Sequence, residues 1–217
     1  MKINVISDIL KANNILANDI RKFLEEKGIV AINLMGSPGS GKTSVLERLL
    51  PMFPGDVKAT VIEGDLATSK DAERIAKLGI QSTQINTGSA CHLDAAMVRP
   101  AIDSLSLDRI SVLFIENVGN LVCPSGFDLG ENWRVIISSV TEGDDKPEKY
   151  PVMYRSVSLV ILNKIDLATM TNFNMEYFRR GMEKVNPAAE IIPVSALTGS
   201  GFDQLLEWTL KRLPHRA

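Results

Sequence analysis

Gly36-Ser-Pro-Gly-Ser-Gly-Lys-Thr43 decides how this chain is read. It follows the apolar run Val30-Ala-Ile-Asn-Leu-Met35 and precedes Ser44-Val-Leu-Glu-Arg-Leu-Leu50, which is helix-like. Strand, glycine-rich loop and helix follow one another with the G-x-x-x-x-G-K-[ST] spacing complete. Gly36, Gly39 and Gly41 let the backbone curl until successive N–H groups point into one concave nest, which suits an anion. The following helix adds its free N–H groups and positive dipole end. The candidate phosphate-binding set is Gly36, Gly39, Ser40, Gly41, Lys42, Thr43 and Ser44. Lys42 can reach the β- and γ-phosphates of a nucleotide, and the Thr43 hydroxyl can bind Mg²⁺. The plain alternative is a glycine-rich turn with no ligand.

Outward from this loop, apolar segments alternate with helix-patterned ones. Strands are expected at 30–35, 57–62, 81–86, 110–115, 133–140, 158–162 and 190–194, and helices at 42–52, 69–78, 93–104, 173–185 and 202–213. This alternation, with strands apolar on both faces, predicts an α/β protein in three layers: a P-loop NTPase fold with a mainly parallel sheet of about seven strands flanked by helices. Ligands on such sheets bind at the carboxyl ends of the strands. Residues 7–27 read as an amphipathic helix with Ile9, Leu10, Ile15, Leu16, Ile20, Phe23 and Leu24 apolar, Ser7 or Asp8 as N-cap and Gly28 just past its end. The expected division is a packed amino-terminal helix over 1–28 and a nucleotide-binding domain over 29–217. Glu142-Gly-Asp-Asp-Lys-Pro-Glu-Lys149 reads as an exposed loop, with Lys146 and Lys149 as candidate phosphate or base contacts.

Asn163-Lys-Ile-Asp166 follows an apolar strand. An Asp in that place can accept two hydrogen bonds from the ring N–H and exocyclic amine of guanine, a donor pair that adenine lacks. Asp166 would thus select GTP, Asn163 would fix the loop or the base edge, and the Lys164 stem would lie over the ring. In Ser195-Ala-Leu197, after the last strand, the Ala196 N–H is placed to meet the guanine carbonyl. Nearer the phosphates, Glu63-Gly-Asp65 and Glu116-Asn-Val-Gly119 each end a strand. Glu116 has the place of a Walker B carboxylate supporting Mg²⁺. Asp65 would complete the Mg²⁺ shell or polarise the attacking water, and Gly119 would admit close backbone approach to the γ-phosphate. Lys42, Asp65 and Glu116 are the expected catalytic group. No glutamine occupies an obvious water-positioning place, so slow intrinsic hydrolysis is expected.

The chain has two cysteines and two histidines. Cys91 and His92 adjoin in Thr87-Gly-Ser-Ala-Cys-His-Leu-Asp94, and Cys123 follows the second acidic motif. Thiolate and imidazole are good ligands for Zn²⁺ and Ni²⁺. The spacing is not that of a zinc knuckle, however, and three ligands leave a tetrahedral site one short. Buried thiols and a capping histidine account for the same residues.

Composition sets outer bounds. At 217 residues the chain is long enough for one α/β domain and short for two. A net charge of −2 supplies no global attraction to nucleic acid or to an anionic membrane. No apolar run approaches the ~20 residues that cross a bilayer. Met1-Lys-Ile-Asn-Val5 lacks the apolar stretch of a secretory signal, so the cytoplasm is the expected location.

Taken together, the glycine loop, Glu63-Gly-Asp65, Cys91-His-Leu-Asp94, Glu116-Asn-Val-Gly-Asn120 with Cys123-Pro124, and Asn163-Lys-Ile-Asp166 resemble the hydrogenase nickel-incorporation GTPases over nearly the whole chain. The urease nickel-insertion GTPase is similar but has a Cys-Pro-His metal motif, absent here. The resemblance implies hydrolysis of GTP to GDP and phosphate, coupled to nickel delivery into a [NiFe]-hydrogenase precursor. It further implies a GTP-bound homodimer in which Cys91, His92 and Cys123 hold nickel or zinc at the subunit interface. Some family members carry an amino-terminal Cys- or His-rich tract; residues 1–30 have no Cys or His, which implies reliance on a nickel metallochaperone partner. The rival expectations are a GTPase serving another metalloenzyme, and a docking module whose hydrolysis is incidental.

Overall fold

A computed structural model describes residues 5–66 and 70–214, with side chains described from Ile9 onward. Seven strands form one sheet: β1 Val30–Gly36, β2 Lys58–Asp65, β3 Ser82–Asn86, β4 Ile110–Glu116, β5 Trp133–Ser139, β6 Leu159–Asn163 and β7 Glu190–Pro193. Their order is β3-β2-β4-β1-β5-β6-β7, and every pairing is parallel. Parallel crossovers need covering segments. Among the described residues there are eight helices, α1 Val5–Glu26, α2 Lys42–Leu49, α3 Lys70–Ala76, α4 Ala95–Asp103, α5 Lys146–Lys149, α6 Pro151–Arg155, α7 Met175–Val185 and α8 Phe202–Leu210. Of these, α2 to α7 lie in crossovers, α1 precedes β1, α8 follows β7, and the β4-to-β5 connection has only a 3-10 turn over Cys123–Gly126.

Side chains alternate along each strand, so the two faces take different covers. Ile32 and Leu34 of β1 and Leu159 and Ile161 of β6 pack with Leu46, Ile75, Leu205 and Trp208 from α2, α3 and α8. On the other face, Ala31, Ile62 and Leu113 meet Ala17, Ile20 and Leu24 of α1 and Val98 and Ile102 of α4. Further along that face, Met35, Ile136 and Val160 meet Met153 and Tyr154 of α6 and Phe178 and Met182 of α7. All of β4 is buried, as expected for a strand covered on both sides.

Helix α1 is held by more than its apolar stripe. Gly28 adopts φ +65, and the Ile29 N–H donates to the Leu24 carbonyl at 2.9 Å, a left-handed cap that ends the helix. Gly130, at φ +87, lies directly under the helix: a Cβ there would sit 2.6 Å from Ile20. Asn13 is buried, donates to the Asp128 carbonyl at 2.8 Å and accepts from the Ala95 N–H at 2.9 Å. The helix is described from Val5, so Ser7 and Asp8, the expected caps, lie within it; their side chains lie outside the described ones.

Two local expectations are corrected, and a third is tested only in part. The helix expected over 42–52 ends at Leu49 and tightens into a 3-10 turn over Leu50–Met52, where Pro51 lacks the N–H that would continue it. The helix expected over 69–78 is described over Lys70–Ala76, its expected first residue, Ser69, lying outside the described residues. The charged stretch 142–149 is not a plain exposed loop. Glu142 ends a 3-10 turn and the last four residues form α5, with Pro147 buried and Lys149 paired to Asp145 one helical turn away.

Replacing Asn13 by Ala leaves the Ala95 N–H and the Asp128 carbonyl without this partner. The expected cost is about 1–3 kcal/mol of stability, read as a lower urea midpoint with an unchanged m-value.

Candidate functional site

Strand β1 lies between β4 and β5, while the chain leaves it for β2 beyond β4, so a crevice opens at its carboxyl end. The glycine loop occupies that crevice. Gly39 (φ +75) and Gly41 (φ +96) take left-handed backbone, and a Cβ on Gly36 would fall 2.4 Å from the Ile137 carbonyl oxygen. The residue capping α2 is Gly41, with no side-chain cap bond, so the first N–H groups of the helix are left for a ligand. Lys42 is buried and donates to the Ser37 carbonyl at 3.3 Å.

Two adjoining cavities meet at this loop and share Gly41, Ser44 and Lys164. One, of about 560 Å³, is lined by Asn163, Lys164, Asp166, Leu167, Ala196 and Leu197. The Ser195 hydroxyl donates to Asp166 Oδ1 at 2.5 Å and holds that carboxylate at the rim. Asn163 is a loop clamp: its Nδ2 donates to the Ser40 carbonyl at 3.0 Å, and its Oδ1 accepts from the Lys164 and Ala196 N–H groups at 2.8 and 3.1 Å. The Ala196 N–H, expected to be open to a base carbonyl, is thus already bound to Asn163. Lys164 has φ +63, and its ammonium donates to the Gly39 carbonyl at 2.7 Å, so its stem spans the two cavities.

The second cavity, of about 520 Å³, is lined by Lys42, Thr43, Glu63, Asp65, Asp71, Arg74, Glu116 and Gly119 among others. The Thr43 hydroxyl donates to Glu116 Oε1 at 2.9 Å. Glu63 stands beside Glu116 in the register of β2 and β4, and both are buried. Burial, then the neighbouring Glu116 carboxyl, pushes Glu63 up to about 10. Burial also raises Glu116, against the pull of Lys42 and the Thr43 hydrogen bond. Glu63 Oε1 and Glu116 Oε2 are buried with no hydrogen-bond partner among the described residues. Two acids closing on orphaned oxygens beside a hydroxyl form a donor set suited to a hard divalent cation. Asp65 lines the same cavity and accepts from the Leu66 N–H at 2.6 Å. Lys146 and Lys149 line neither cavity: Lys146 lies over the Tyr150 ring, and Lys149 is paired with Asp145.

The thiols and the imidazole come together at the same edge of the sheet. One ligand atom from each of Cys91, His92 and Cys123 lies within 4.8 Å of the others. Cys91 Sγ is 2.8 Å from Cys123 Sγ and 3.7 Å from His92 Nδ1, and both cysteines are free and half-buried. The His92 ring stacks on Phe127 at 3.9 Å, and burial holds its pKa below the ordinary value. The cap of α4 is Asp94, whose carboxylate accepts from the Met97 N–H at 2.8 Å, so no capping role is left to His92. Cys123 is raised chiefly by its contact with Cys91. The Cys91 loop leaves β3 and must cross β2 to reach the end of β4. It does so through Leu93, which is buried and packs over Gly64, where a Cβ would be 2.8 Å away.

Sequence reasoning named the Glu63-Gly-Asp65 run but gave Glu63 no role; the signal was an acid continuing an apolar strand. Arg74 was missed, with no local signal. Its guanidinium reaches Ser44 Oγ at 3.0 Å and Glu47 on α2.

A parallel sheet with an uncapped, glycine-looped helix at its switch point defines a P-loop nucleotide-binding domain. Residues 30–193 match the profile described as CobW/HypB/UreG, nucleotide-binding domain. "Hydrogenase maturation factor HypB" of Rhizobium leguminosarum bv. viciae is 48% identical over 206 residues, 95% of this chain and 69% of its own length. "Probable hydrogenase maturation factor HypB" of Methanocaldococcus jannaschii is 44% identical over 209 residues, 96% of this chain and 95% of its own. Among solved structures, that of HypB from Helicobacter pylori in complex with nickel matches with a TM-score of 0.89 at 38% identity, covering 95% of this chain and 99% of that one. The chain belongs to the CobW/HypB/UreG family. No helix among the described residues is long and apolar enough to cross a membrane.

Glu63 binds its proton more tightly folded than unfolded. Its contribution to stability is therefore full below the usual 4.5 and is lost as pH rises towards about 10. Glu63→Gln, which mimics the protonated acid, is expected to raise the Tm of the nucleotide-free protein at pH 8 by at least about 2–4 °C, the shift that roughly 1 kcal/mol makes in a chain of this size. The difference should shrink towards pH 5; thermal melts at both pH values check it.

Proposed function

We propose that the protein hydrolyses GTP to GDP and phosphate and couples that cycle to delivery of nickel into a hydrogenase precursor. One observation carries the reading. The segment that begins at Glu116, bonded to the Thr43 hydroxyl, ends at Cys123, beside Cys91 and His92. Input and cargo sites are then two ends of one short stretch.

In this reading the N–H nest, Lys42 and Ser44 hold the phosphates of GTP, and Asp166 reads guanine with Ser195 fixing its carboxylate. Mg²⁺ is held by Thr43 with Glu116, and with Glu63 or Asp65; it would neutralise charge on the phosphates. The buried, partnerless oxygens of Glu63 and Glu116 fit that role. Gly119 packs against Pro38, which brings its backbone to the phosphate end of the loop. Cys91, His92 and Cys123 take the metal as cargo. Three ligands from one chain leave room for a fourth from a second copy, which supports a GTP-bound homodimer sharing metal at this edge. The names of the relatives support hydrogenase maturation as the process; a cytoplasmic location and a nickel metallochaperone as supplier belong to the same reading.

Asp166→Asn is expected to weaken GTP binding by at least about 100-fold, since an unmatched polar pair in such a site costs several orders of magnitude, and to admit xanthosine triphosphate. Unchanged GTP affinity in a competition titration refutes the base-reading role.

Cys91→Ala should abolish nickel and zinc binding at this edge while nucleotide affinity stays within about twofold, a difference of ~0.4 kcal/mol. Metal stoichiometry per chain, measured with GDP and with a non-hydrolysable GTP analogue, decides it.

A further inference from the structure

We propose that the Asn120 side chain is the positioning element through which the state of the glycine loop sets the geometry of Cys123, and with it the metal affinity of the thiol pair. The inference rests on the GTP-linked metal reading above and names where the linkage runs.

Asn120 is fastened at both ends. Its N–H donates to the Gly36 carbonyl at 2.9 Å, forming an isolated antiparallel bridge between the first residue of the glycine loop and the segment beyond β4. Its side-chain Oδ1 accepts from the Val122 N–H at 2.7 Å and from the Cys123 N–H at 3.1 Å. One residue therefore holds the loop carbonyl with its backbone and the thiol-bearing residue with its side chain. Gly119 closes a second contact: a Cβ there would lie 2.9 Å from Pro38 Cα, so loop and segment touch backbone to backbone. A shift of Gly36 or Pro38 on phosphate binding or release meets Asn120 first and reaches the Cys123 N–H through one amide oxygen.

The Cys91 side is anchored differently. Asn117 is buried, and its Oδ1 accepts from the Leu93 and Val118 N–H groups, both at 3.0 Å. Its Nδ2 donates to Asn33 Oδ1 within β1 at 3.3 Å. That network ties Leu93 to the strands, not to the glycine loop. It makes the Cys91–His92 arm the fixed partner and Cys123 the adjustable one. Removing Asn117 leaves several buried groups unpaired, so its variants report folding. Asn120 is half-buried and is the position that discriminates.

The test is equilibrium nickel and zinc binding to the full chain with GDP and with a non-hydrolysable GTP analogue, for wild type, Asn120→Ala and Asn120→Asp. The readout is the ratio of the two affinities, in which a uniform effect on metal binding cancels. Wild type is expected to show a ratio of at least about 5, the lower end of ordinary allosteric coupling. Asn120→Ala should bring the ratio to within about 2 of unity, below that coupling range, with the two nucleotide affinities each retained. Asn120→Asp keeps an acceptor for both N–H groups and should restore the dependence. A full wild-type ratio in Asn120→Ala overturns the inference and leaves the GTP-linked reading standing. A ratio of one in wild type overturns that reading and the inference with it. If the alanine variant fails to fold, Asn120→Gln, which carries the same amide beyond the two N–H groups, is judged by the same criteria.

Discussion

The Asn163 amide against the Ser40 carbonyl, at 3.0 Å, is the contact on which the nucleotide end depends. It requires Gly41: any Cβ there would sit 2.4 Å from Asn163 Nδ2. It also requires β6 to end where it does, since Asn163 is the last residue of that strand. With Nδ2 on the glycine loop and Oδ1 shared between Lys164 and Ala196, one side chain joins three loops that meet only because their strands run parallel to the same edge. The glycine at 41 thus serves twice, as left-handed backbone opening the nest and as the gap that admits the amide.

Much of this was legible in the sequence where the signal is local. Each apolar run became a strand within a few residues of its expected bounds, because a strand buried on both faces must be apolar throughout. The glycine loop was legible because its conformation is imposed by residue type. The cluster of Cys91, His92 and Cys123 was not. Cys91 and Cys123 belong to loops that follow β3 and β4, with β2 between them in the sheet. Their meeting depends on strand order and on the Leu93–Gly64 contact, neither of which is written in their spacing; the resemblance, not the residues, singled them out. The stretch 142–149 failed for a related reason. Its charges read as solvated, yet Pro147 at the start of α5 packs towards Gly181 of α7, a tertiary contact that no window of eight residues contains.

Two features run against folding economy and lie side by side. The first turn of α2 has no side-chain cap, although a Ser, Thr, Asp or Asn there typically stabilises a helix by about 1 kcal/mol. The Glu63 and Glu116 carboxyls are buried next to one another across adjacent strands, where apolar residues would stabilise the sheet. Each is a partner waiting for opposite charge: free N–H groups for an anion, raised acids for a cation. A core built for stability alone would have neither. Their adjacency, with the Thr43 hydroxyl between loop and acid, is what suits the site to a phosphate chain together with a metal ion.

The segment from Glu116 to Cys123 then acquires a mechanical meaning. It begins on a buried acid that a cation would recharge, touches the glycine loop at Gly119 and Asn120, and ends on a thiol. Loops on a sheet edge are usually free to differ from one another in position. This one is fastened at its start, its middle and its end, and two of those fastenings fall on groups that the nucleotide would contact. A rigid tether between two sites carries coupling only if its two ends prefer different arrangements in different ligand states. The raised acids supply such a preference at one end: burial favours their protonated forms, and a bound cation would favour the charged ones. A thiol pair 2.8 Å apart supplies another, since a bound metal must part the sulfurs and take both as thiolates. A cation at either end of these eight residues would favour the charged form of its ligands over the protonated one, so a linkage between the two sites would depend on pH.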